Sequence, residues 1–219
     1  MRLELASRKA VKYAVENWHY TRSVPNVGLA FAVFNKEKEF CGVICYGVGA
    51  TANIARPYGL QQGQVIELLR VALNGKQGQT SKALAQSLKL LKKKSPSVKL
   101  VVSYADSEQN HSGIIYQATN WLYTGFSTDS NLVIDGERKH RRTISSKYGT
   151  SSLEKIRALG HSVEVIRTKP KWKYIYVLNK DDRPKYEHLR KPYPSAWSTD
   201  SGAPCIQQGG GGANPTHAL

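Results

Sequence analysis

Residues Val98 to Trp121 read VKLVVSYADSEQNHSGIIYQATNW, and this stretch decides the class of fold. Its first part, Val98 to Tyr104, is a β-branched run that suits a buried strand. A polar loop follows, and Gly113 to Trp121 then has the pattern of a short helix. A strand that passes through a loop into a helix is typical of mixed α/β folds, in which such strand ends expose polar groups to ligands.

The segments upstream and downstream continue this alternation of strands and helices. Ser81 to Lys94 predicts a helix with leucines on its inner face and lysines on its outer face, and Pro96 closes it. Ser7 is a good N-cap for an earlier helix that ends near His19. The other predicted strands are Val27 to Phe34, Phe40 to Tyr46, Val65 to Leu73, Leu132 to Ile134, Val163 to Arg167 and Trp172 to Leu178.

Two local signals place elements in the last third of the chain. Asp135-Gly136 follows a short apolar run and suggests a hairpin. Ser151 and Glu154 form a capping box for a helix that ends at Gly160. We therefore expect an α/β fold of the α+β type, with a mixed sheet, flanking helices and a basic C-terminal extension that contains β-structure.

The charge balance narrows the class of partner. The chain has 219 residues, 32 Lys+Arg against 16 Asp+Glu, and 40% hydrophobic residues, which is too many for a disordered polycation. A cationic surface accumulates phosphate, which favours nucleic acid or an anionic membrane surface. The longest apolar stretch, Gly28 to Phe34, is far too short to cross a membrane.

Two further features of composition bear on the compartment. The first residues contain no apolar segment of the kind that begins a secretion signal. Three cysteines make no disulfide framework, and Cys41 and Cys45 are interpreted as buried free thiols rather than a metal or redox pair. We therefore expect a reduced protein of the cytoplasm.

The charge is confined to one part of the chain. Residues 192–219 contain no Lys or Arg, four Pro and a run of four Gly, and predict a disordered or linker-like tail. Residues 1–191 form the single predicted domain and carry 32 basic and 15 acidic residues. The densest part, Arg138 to Lys173, has eleven basic residues against Glu154 and Glu164.

Polar and titratable side chains cluster where the strand of the quoted stretch ends. Ser103, Tyr104, Asp106, His111 and Tyr116 lie within fourteen residues. Such a cluster is unusual for a simple connection and indicates a candidate site. The alternative is structural: Asp106 and His111 would cap the next helix, and the tyrosines would pack with their hydroxyls bonded.

Two other motifs carry titratable groups beside apolar ones. In Trp18-His-Tyr-Thr-Arg22, a His and a Tyr follow a core Trp. The alternative is structural: a cationic His19 would interact favourably with the dipole at the C-terminus of the helix. In Glu67-Leu-Leu-Arg70, strict alternation puts one charge on each face of an apolar strand. Buried charges need partners, so we predict a role in a site or a network for this motif.

Phosphate-binding signals differ in strength. The loop Asn74 to Ser81 precedes a helix and could cradle a phosphate, but ordinary surface loops share its composition. Arg138 to Arg142 and Lys169 to Tyr176 interleave cations with aromatic rings, which grip phosphates and stack on bases. No pair of histidines has a metal-binding spacing, although His19, Asp106 and His111 could meet in space.

At these residues the sequence resembles the Mom family of phage DNA-modification proteins, whose fold is similar to that of GCN5-related acetyltransferases. The resemblance runs from about His19 to Tyr176, with its short motifs in family order. The motifs are His-Tyr-x-Arg at 19–22, Glu-Leu-x-Arg at 67–70, the helix that opens at Ser81, Ser-Tyr-Ala-Asp at 103–106, His-x-Gly-x-x-Tyr-Gln-Ala at 111–118, Asn120-Trp121, Gly125, Arg141-Arg142, Tyr148-Gly149 and Lys169-Pro-Lys.

The resemblance implies a DNA-modifying transferase that converts adenine in DNA to N6-carbamoylmethyladenine and so protects phage DNA from restriction. The catalytic residues carried over by motif position are Tyr20, Arg70, Ser81, Asp106 and Tyr116. To these we add candidates for binding substrate or DNA, which are His19, Arg22, Ser103, Tyr104, His111, Trp121, Arg138, Arg141, Arg142, Lys169, Lys171 and Lys173.

The expected donor is an activated acyl group. The resemblance to acetyltransferases suggests acetyl coenzyme A, and the additional nitrogen of the implied product suggests instead a glycyl group carried as a thioester or on a tRNA. Gln77-Gly-Gln-Thr-Ser-Lys82 departs from the acetyltransferase pyrophosphate loop, which usually reads Gln/Arg-x-x-Gly-x-Gly/Ala. The expected partners are double-stranded DNA and a tRNA or coenzyme A carrier, with no membrane. The sequence leaves open a homodimer and a requirement for iron, for which it has no motif.

Two other functions fit the same residues. An acetyltransferase of this fold that acts on protein or small-molecule amines would bind acetyl coenzyme A without DNA. A non-enzymatic DNA-binding protein would use the aromatic and basic residues only to hold DNA. Asp106→Ala would then leave its effect unchanged, because a carboxylate near phosphate contributes nothing to binding.

Overall fold

The computed structural model describes residues 1–49, 53–109, 111–127, 130–139, 141–150, 152–167 and 169–194, with side chains for all of these except 130, 131, 138, 139, 141–143 and 167. The predicted tail beyond residue 194 lies outside the described residues.

The strands are β1 Arg2–Leu5, β2 Leu29–Phe34, β3 Phe40–Gly47, β4 Val65–Leu73, β5 Leu100–Asp106, β6 Leu122–Ser127, β7 Ser130–Ile134, β8 Glu137–Lys139, β9 Val163–Arg167 and β10 Lys171–Val177. The helices are α1 Arg8–Trp18, α2 Thr80–Lys94, α3 Ile114–Gln117, α4 Arg141–Tyr148 and α5 Leu153–Ala158, with 3-10 helices at Arg56–Tyr58, Ser107–Gln109 and Lys180–Leu189.

Seven strands form the central sheet in the order β1-β2-β3-β4-β5-β10-β6. Neighbouring strands are antiparallel, except that β4 and β5 are parallel. The helix α2 makes the connection between these two parallel strands, as a crossover requires. This architecture confirms the predicted mixed sheet with flanking helices and the early antiparallel meander.

Helices cover both faces of the sheet because each is amphipathic. The side chain of Ser7 accepts the backbone N–H of Ala10 and caps α1 as predicted, and α1 buries Val11, Ala14 and Val15. The helix α2 packs Leu84, Leu88 and Leu91 on the opposite face, against a core that includes Val101. Burial of these side chains, at about 1.5–3 kcal/mol each, fixes the helices to the sheet.

The parallel pairing of β4 and β5 is short. It joins Val65 to Leu100, Ile66 to Val101 and Glu67 to Val102, and no pairing between the two strands follows within the described residues. Beyond this point β4 stays paired with β3, and β5 stays paired with β10. The two strands therefore diverge, and the backbone leaves a split in the middle of the sheet.

A second sheet, of order β8-β7-β9, occupies the basic part of the chain. The predicted hairpin at Asp135-Gly136 is confirmed, and both residues have the positive φ that such a turn needs, at 53° and 79°. The helix predicted from Ser151 begins at Leu153, and the cap is Ser152, whose side chain accepts the N–H of Lys155. The separate core of this region consists of Leu132, Ile134, Ile144 and Ile156.

No helix within the described ranges is long and apolar enough to cross a membrane.

Candidate active site

The split between β4 and β5 opens into a cavity of about 620 Å³. Its polar lining comes from eight segments: the residues that follow α1, the middle of β4, the start of α2, the end of β5, the loop before α3, α3 itself, the end of β6 and the start of β10. The side chains that matter for chemistry are His19, Tyr20, Glu67, Arg70, Thr80, Tyr104, Asp106, His111, Tyr116 and Lys171. The split thus brings together groups that are far apart in sequence.

A β-bulge decides which face of β4 carries its charges. Cys45 pairs with Arg70 and Tyr46 pairs with Leu68, so Leu69 is an extra residue in β4. Glu67 pairs with Gly47, two residues from Cys45, and therefore lies on the same face as Arg70. The prediction of one charge on each face is wrong, because the bulge breaks the alternation on which it rested.

Tyr20 and Asp106 form the central contact of the site. The Tyr20 hydroxyl donates to Oδ2 of Asp106 at 2.9 Å, and the backbone N–H of Glu108 donates to Oδ1 at 3.0 Å. Burial, followed by the hydrogen bond to Asp106 and its charge, raises the pKa of Tyr20. Tyr20 therefore stays protonated and acts as a donor, while Asp106 keeps lone pairs for another proton.

His19 is held in its neutral form beside this pair. Its ring stacks on Tyr20 with centroids 4.5 Å apart, and its Nδ1 accepts the backbone N–H of Thr21 at 3.2 Å. Burial, with the charges of Arg70 and His111, lowers the pKa of His19 to about 4. Because Nδ1 is an acceptor, the proton of the neutral ring is on Nε2.

Tyr116 reaches the split from the other face of the sheet. The hydroxyl of Ser103 donates to the carbonyl oxygen of Leu68 at 3.1 Å, so its contact of 2.9 Å with the Tyr116 oxygen must be one in which Tyr116 donates. Burial raises the pKa of Tyr116 to about 12. Ser103 thus bridges the two diverging strands, and Tyr116 donates its hydroxyl proton to Ser103.

Arg70 has unused donor capacity. Its Nη1 donates to the carbonyl oxygen of Leu69 at 2.7 Å. Its buried Nε has no hydrogen-bond partner among the residues that the structure describes. A buried guanidinium N–H without an acceptor costs free energy, and an acceptor supplied by a bound ligand would recover it. Arg70 is therefore ready to bind an anionic oxygen in the cavity.

Two residues that the sequence suggested as contacts for substrate or DNA, Ser103 and Trp121, are buried in the core. Trp121 is 0% exposed and packs against Tyr116 and Tyr176, so it cannot stack on a base. Ser103 is 1% exposed and joins protein groups only in the contacts described above. Both side chains are held in the core, Ser103 by β5 and Trp121 by the residues between α3 and β6, which does not fit the predicted role of a direct contact with substrate or DNA.

Ser81 and Arg22 lie at the margin of the site. Ser81 is in the first turn of α2, but the cavity is lined by its neighbour Thr80. Arg22 is exposed, with a φ of 47°, and is not part of the lining. In the loop before α2, the side chain of Gln77 is 7% exposed and donates a hydrogen bond to the hydroxyl of Thr80 at 3.0 Å, which links the loop to the first turn of α2.

The basic candidates fall into two groups. Lys171 pairs with Asp106 across β10 and β5 and lines the cavity, and Lys173 pairs with Tyr104 and lies over the ring of Tyr58 at 5.1 Å. Lys169 is exposed just before β10. The side chains of Arg138, Arg141 and Arg142 lie outside the described part of the chain, so their roles stay predictions.

Sequence reasoning did not single out Lys171 as a neighbour of Asp106, nor Thr80 as a lining residue. The first depends on antiparallel pairing between strands 65 residues apart, for which the sequence has no local signal. Glu67 was noted as a charge in a strand, and the apolar residues around it were the signal for a role in the site.

The sequence has no convincing metal-binding motif, although His19, Asp106 and His111 were noted as residues that could meet in space. All three line the cavity, and Tyr20 lies between the histidines, stacked on one and edge-on to the other at 5.8 Å. Within the described ranges, no three His, Cys, Asp or Glu side chains are grouped so that they could hold a metal ion.

Solved structures with a similar arrangement of the chain are N-acetyltransferases. The spermidine/spermine N-acetyltransferase SpeG from Vibrio cholerae, in complex with manganese ions, has a TM-score of 0.47 at 9% identity and covers 84% of this chain and 95% of its own. A chimera of the Vibrio cholerae enzyme with hSSAT has a TM-score of 0.45 at 9% identity, with 81% and 97% covered.

Sequence comparison is more specific. The chain is 28% identical over 203 residues to the methylcarbamoylase Mom of Escherichia phage Mu, a match that covers 89% of this chain and 83% of that protein. The profile of the Mom protein family matches residues 1–195. Because this match spans far more than half of the chain, the protein belongs to the Mom protein family.

Proposed function

We propose that the protein is a transferase that modifies adenine in DNA at N6, giving N6-carbamoylmethyladenine, and that the modification protects phage DNA from restriction nucleases. Membership of the Mom family and the similarity to a methylcarbamoylase support a DNA-modifying enzyme. The excess of positive charge supports a polyanionic substrate.

The observation that carries the proposal is the Tyr20–Asp106 pair in the wall of the cavity, with Lys171 beside it. Adenine N6 is a poor nucleophile because its lone pair is shared with the ring. A base must therefore accept the N6 proton as the new bond forms, a role worth about 100- to 10,000-fold in rate. Asp106 has the free lone pairs for this, and Tyr20 and the N–H of Glu108 hold its carboxylate in place.

The target base must leave the duplex to reach Asp106. Tyr20 is 47% exposed and is backed by His19, so it offers an aromatic surface at the cavity. Lys171 is the first residue of β10 and lies next to Asp106, and Lys169 lies just before that strand. Both lysines would hold the phosphate backbone of the DNA. We expect the basic residues of the segment 138–173 to add further contacts to the phosphates of double-stranded DNA.

The product restricts the donor. Simple acetyl transfer would give N6–CO–CH₃, whereas the product has N6–CH₂–CO–NH₂ and one more nitrogen. A glycyl thioester or a glycyl ester on tRNA supplies the missing atoms: N6 attacks the carbonyl carbon, the carrier leaves, and N6–CO–CH₂–NH₂ results. The free amine then attacks C6 through a five-membered ring, the bond between C6 and the original nitrogen breaks, and that nitrogen takes up a proton as the amide.

Of the two cavity residues Arg70 and Tyr116, only Arg70 would directly stabilise the negative charge that develops on the carbonyl oxygen during acyl transfer. Arg70 is the direct donor, because its Nε has no other acceptor among the described residues. Tyr116 acts through Ser103, to which its proton is donated, and keeps the split between β4 and β5 at a fixed width. The phenol could donate to the oxyanion only after releasing Ser103.

The proposal is tested by mass spectrometry of nucleosides from DNA co-expressed with the wild type or with Asp106→Ala. A nucleoside heavier than deoxyadenosine by the carbamoylmethyl group should form with the wild type and disappear with the variant. Unmodified adenine in both samples would contradict the proposal, and an acetylated protein or amine without a new nucleoside would favour the amine acetyltransferase.

Isotope labelling tests the route. Cells given nitrogen-labelled glycine should place the label on the nitrogen attached to the ring, because the glycyl amine becomes that nitrogen. A label on the amide nitrogen, or in neither position, would rule out the rearrangement while leaving the identity of the product unaffected.

A further inference from the structure

One bulky apolar side chain beside the cavity is turned toward solvent. Ile114 is the first residue of α3, lines the cavity and is 70% exposed, the largest exposed fraction among the bulky apolar side chains that the structure describes. The next residues of this helix point inward, because Ile115 packs against the main core and Tyr116 is buried in it. Ile114 therefore projects at the mouth of the cavity, where its exposure leaves apolar surface in water.

Contacts on both sides of Ile114 fix its backbone. The Tyr174 hydroxyl donates to the carbonyl oxygen of Ser112 at 2.6 Å, and the ring of Tyr174 leaves no room for a Cβ at Gly113, whose φ is 81°. On the other side, the N–H of Ala118 donates to the carbonyl oxygen of Ile114 at 2.9 Å. A β-branched side chain on a fixed backbone has few rotamers, so this projection is stiff as well as apolar.

Ile114 also has a fixed position relative to the site. The backbone N–H of His111, in the loop just before α3, donates to the backbone carbonyl oxygen of Asp106 at 3.1 Å. The ring of His111 meets the ring of Tyr20 edge-on, with centroids 5.8 Å apart. A short segment therefore ties the apolar projection to the carboxylate that we propose as the base and to the aromatic ring exposed at the cavity.

A base that leaves a duplex creates a need for such a group. The flipped adenine loses its stacking and its pairing, and both favour its return to the gap that it has left. Proteins that kink DNA frequently insert apolar side chains, isoleucine among them, between base steps. A side chain that fills the gap has to be exposed, apolar, stiff and close to the pocket that receives the base, and Ile114 has all four properties.

We propose that Ile114 enters the duplex in the place of the flipped adenine and so holds the base in the cavity. This inference rests on the function proposed above. Tyr20 and Ile114 have complementary parts: the ring contacts the extruded base, and the isoleucine occupies the space that the base has left. Ile114 takes no part in the transfer of the acyl group and is a positioning residue for DNA whose target base is paired.

Two measurements test this inference, and neither requires a donor to be supplied. In the first, the protein is co-expressed at a low level with a plasmid, and modified adenine is measured by mass spectrometry of nucleosides. In the second, purified protein is added to duplexes of random sequence in which 2-aminopurine replaces part of the adenine. The fluorescence of 2-aminopurine rises when this base leaves the stack, and the same oligonucleotides as single strands are the reference.

Three variants are compared with the wild type. Ile114→Ala removes most of the apolar projection from an exposed position and so leaves the core intact. Ile114→Leu keeps an apolar side chain of the same size and is the conservative variant. Leu5→Ala is the matched control, because Leu5 is 55% exposed in β1 and does not line the cavity.

Ile114→Ala should lower the amount of modified adenine about tenfold or more and should lose most of the rise in duplex fluorescence, because nothing then fills the gap. With single strands, which have no opposite strand to pair with again, Ile114→Ala and the wild type should give the same fluorescence. Ile114→Leu and Leu5→Ala should behave like the wild type in both measurements.

Several results overturn the inference while leaving the proposed function intact. Ile114→Ala would modify DNA like the wild type, or it would lose modification while the duplex still gave the full rise in fluorescence. Equal losses in Ile114→Leu and Ile114→Ala would show that apolar bulk is not what matters, and a wild type that modifies DNA without any rise in fluorescence would show that no gap is filled. If instead the wild type yields no modified adenine, the proposed function itself fails.

Discussion

The cavity wall and the small sheet of residues 130–167 differ in how much core supports them. The cavity lies in a seven-stranded sheet whose main core contains nineteen buried side chains, among them Leu68, Val101 and Tyr116. The small sheet has three strands and a core of only four buried side chains among the described residues. The charged and polar groups of the cavity are thus held on a rigid support, whereas the basic segment rests on a minimal one.

This difference fits two separate tasks. The proton acceptor that we propose, Asp106, would have to be fixed to within a fraction of an ångström, and a hydrogen-bonded position at the end of a central strand provides that. A surface that grips phosphates needs charge and reach more than precise placement, since backbone contacts carry no sequence information. We therefore expect substitutions in the two regions to have separable effects.

The largest effect is expected at Asp106. Asp106→Asn keeps the shape and can still accept the Tyr20 hydroxyl, but it cannot take a proton from adenine N6. The rate of modification should fall about 100- to 10,000-fold. Single-turnover assays with nucleoside analysis measure this, with Glu37→Gln as the exposed control. A fall of less than about tenfold would mean that another group is the base.

Next in size is Ile144, which is 0% exposed in the core of the small sheet. Ile144→Ala should cost about 2–5 kcal/mol of the stability of that unit, because it removes a large part of a four-residue core. Hydrogen exchange should accelerate in residues 130–167 and stay unchanged in β4 and β5. Equal loss of protection in both regions would show that they unfold as one unit.

Ser103 tests the bridge across the split. Ser103→Ala removes the donor to the Leu68 carbonyl and leaves the buried Tyr116 hydroxyl without its acceptor, at a cost of about 1–3 kcal/mol. Urea unfolding measures the change. In a double-mutant cycle, Tyr116→Phe should recover part of the loss, because it removes the orphaned hydroxyl. Strict additivity of the two substitutions would contradict the bridge.

The smallest effect concerns pH. The pKa of His19 is about 4 in the folded chain, against an ordinary value of 6.5 for a solvated histidine, so the unfolded chain binds more protons between these values. Stability should therefore fall as pH falls from 6.5 to 4. His19→Gln should lack this part of the slope when urea midpoints are compared at about pH 7 and about pH 4.5. An unchanged slope would place the neutral form of His19 in doubt.

The strands and helices with strong local patterns could be predicted from the sequence. Ser7 and the apolar face of α1, the β-branched run of β5 and the Asp135-Gly136 turn were all read correctly. The strands β1 and β6 were missed, and both are edges of the central sheet, where a strand needs only one partner and its apolar pattern is weak.

For the candidate site, the sequence grouped Asp106, His111 and Tyr116 but could not place them relative to other segments. The contact of Tyr20 with Asp106 spans 86 residues, and the pairing of Lys171 with Asp106 depends on strand order. The bulge at Leu69 moved Glu67 and Arg70 to one face, and no alternation rule reveals a bulge. Long-range register decided these features.

The most direct test of the separation of chemistry from DNA binding is one binding titration. A fluorescein-labelled duplex is titrated with the wild type, with Asp106→Asn and with a double variant, Lys155→Ala and Lys169→Ala, whose lysines are exposed and outside the cavity lining. We predict that Asp106→Asn binds as tightly as the wild type, to within about twofold, and that the double variant binds more weakly, with a salt slope lower by about one per lost phosphate contact. The opposite result would contradict the separation of chemistry from DNA binding: Asp106→Asn would lose DNA affinity in proportion to its loss of product, and the double variant would bind like the wild type.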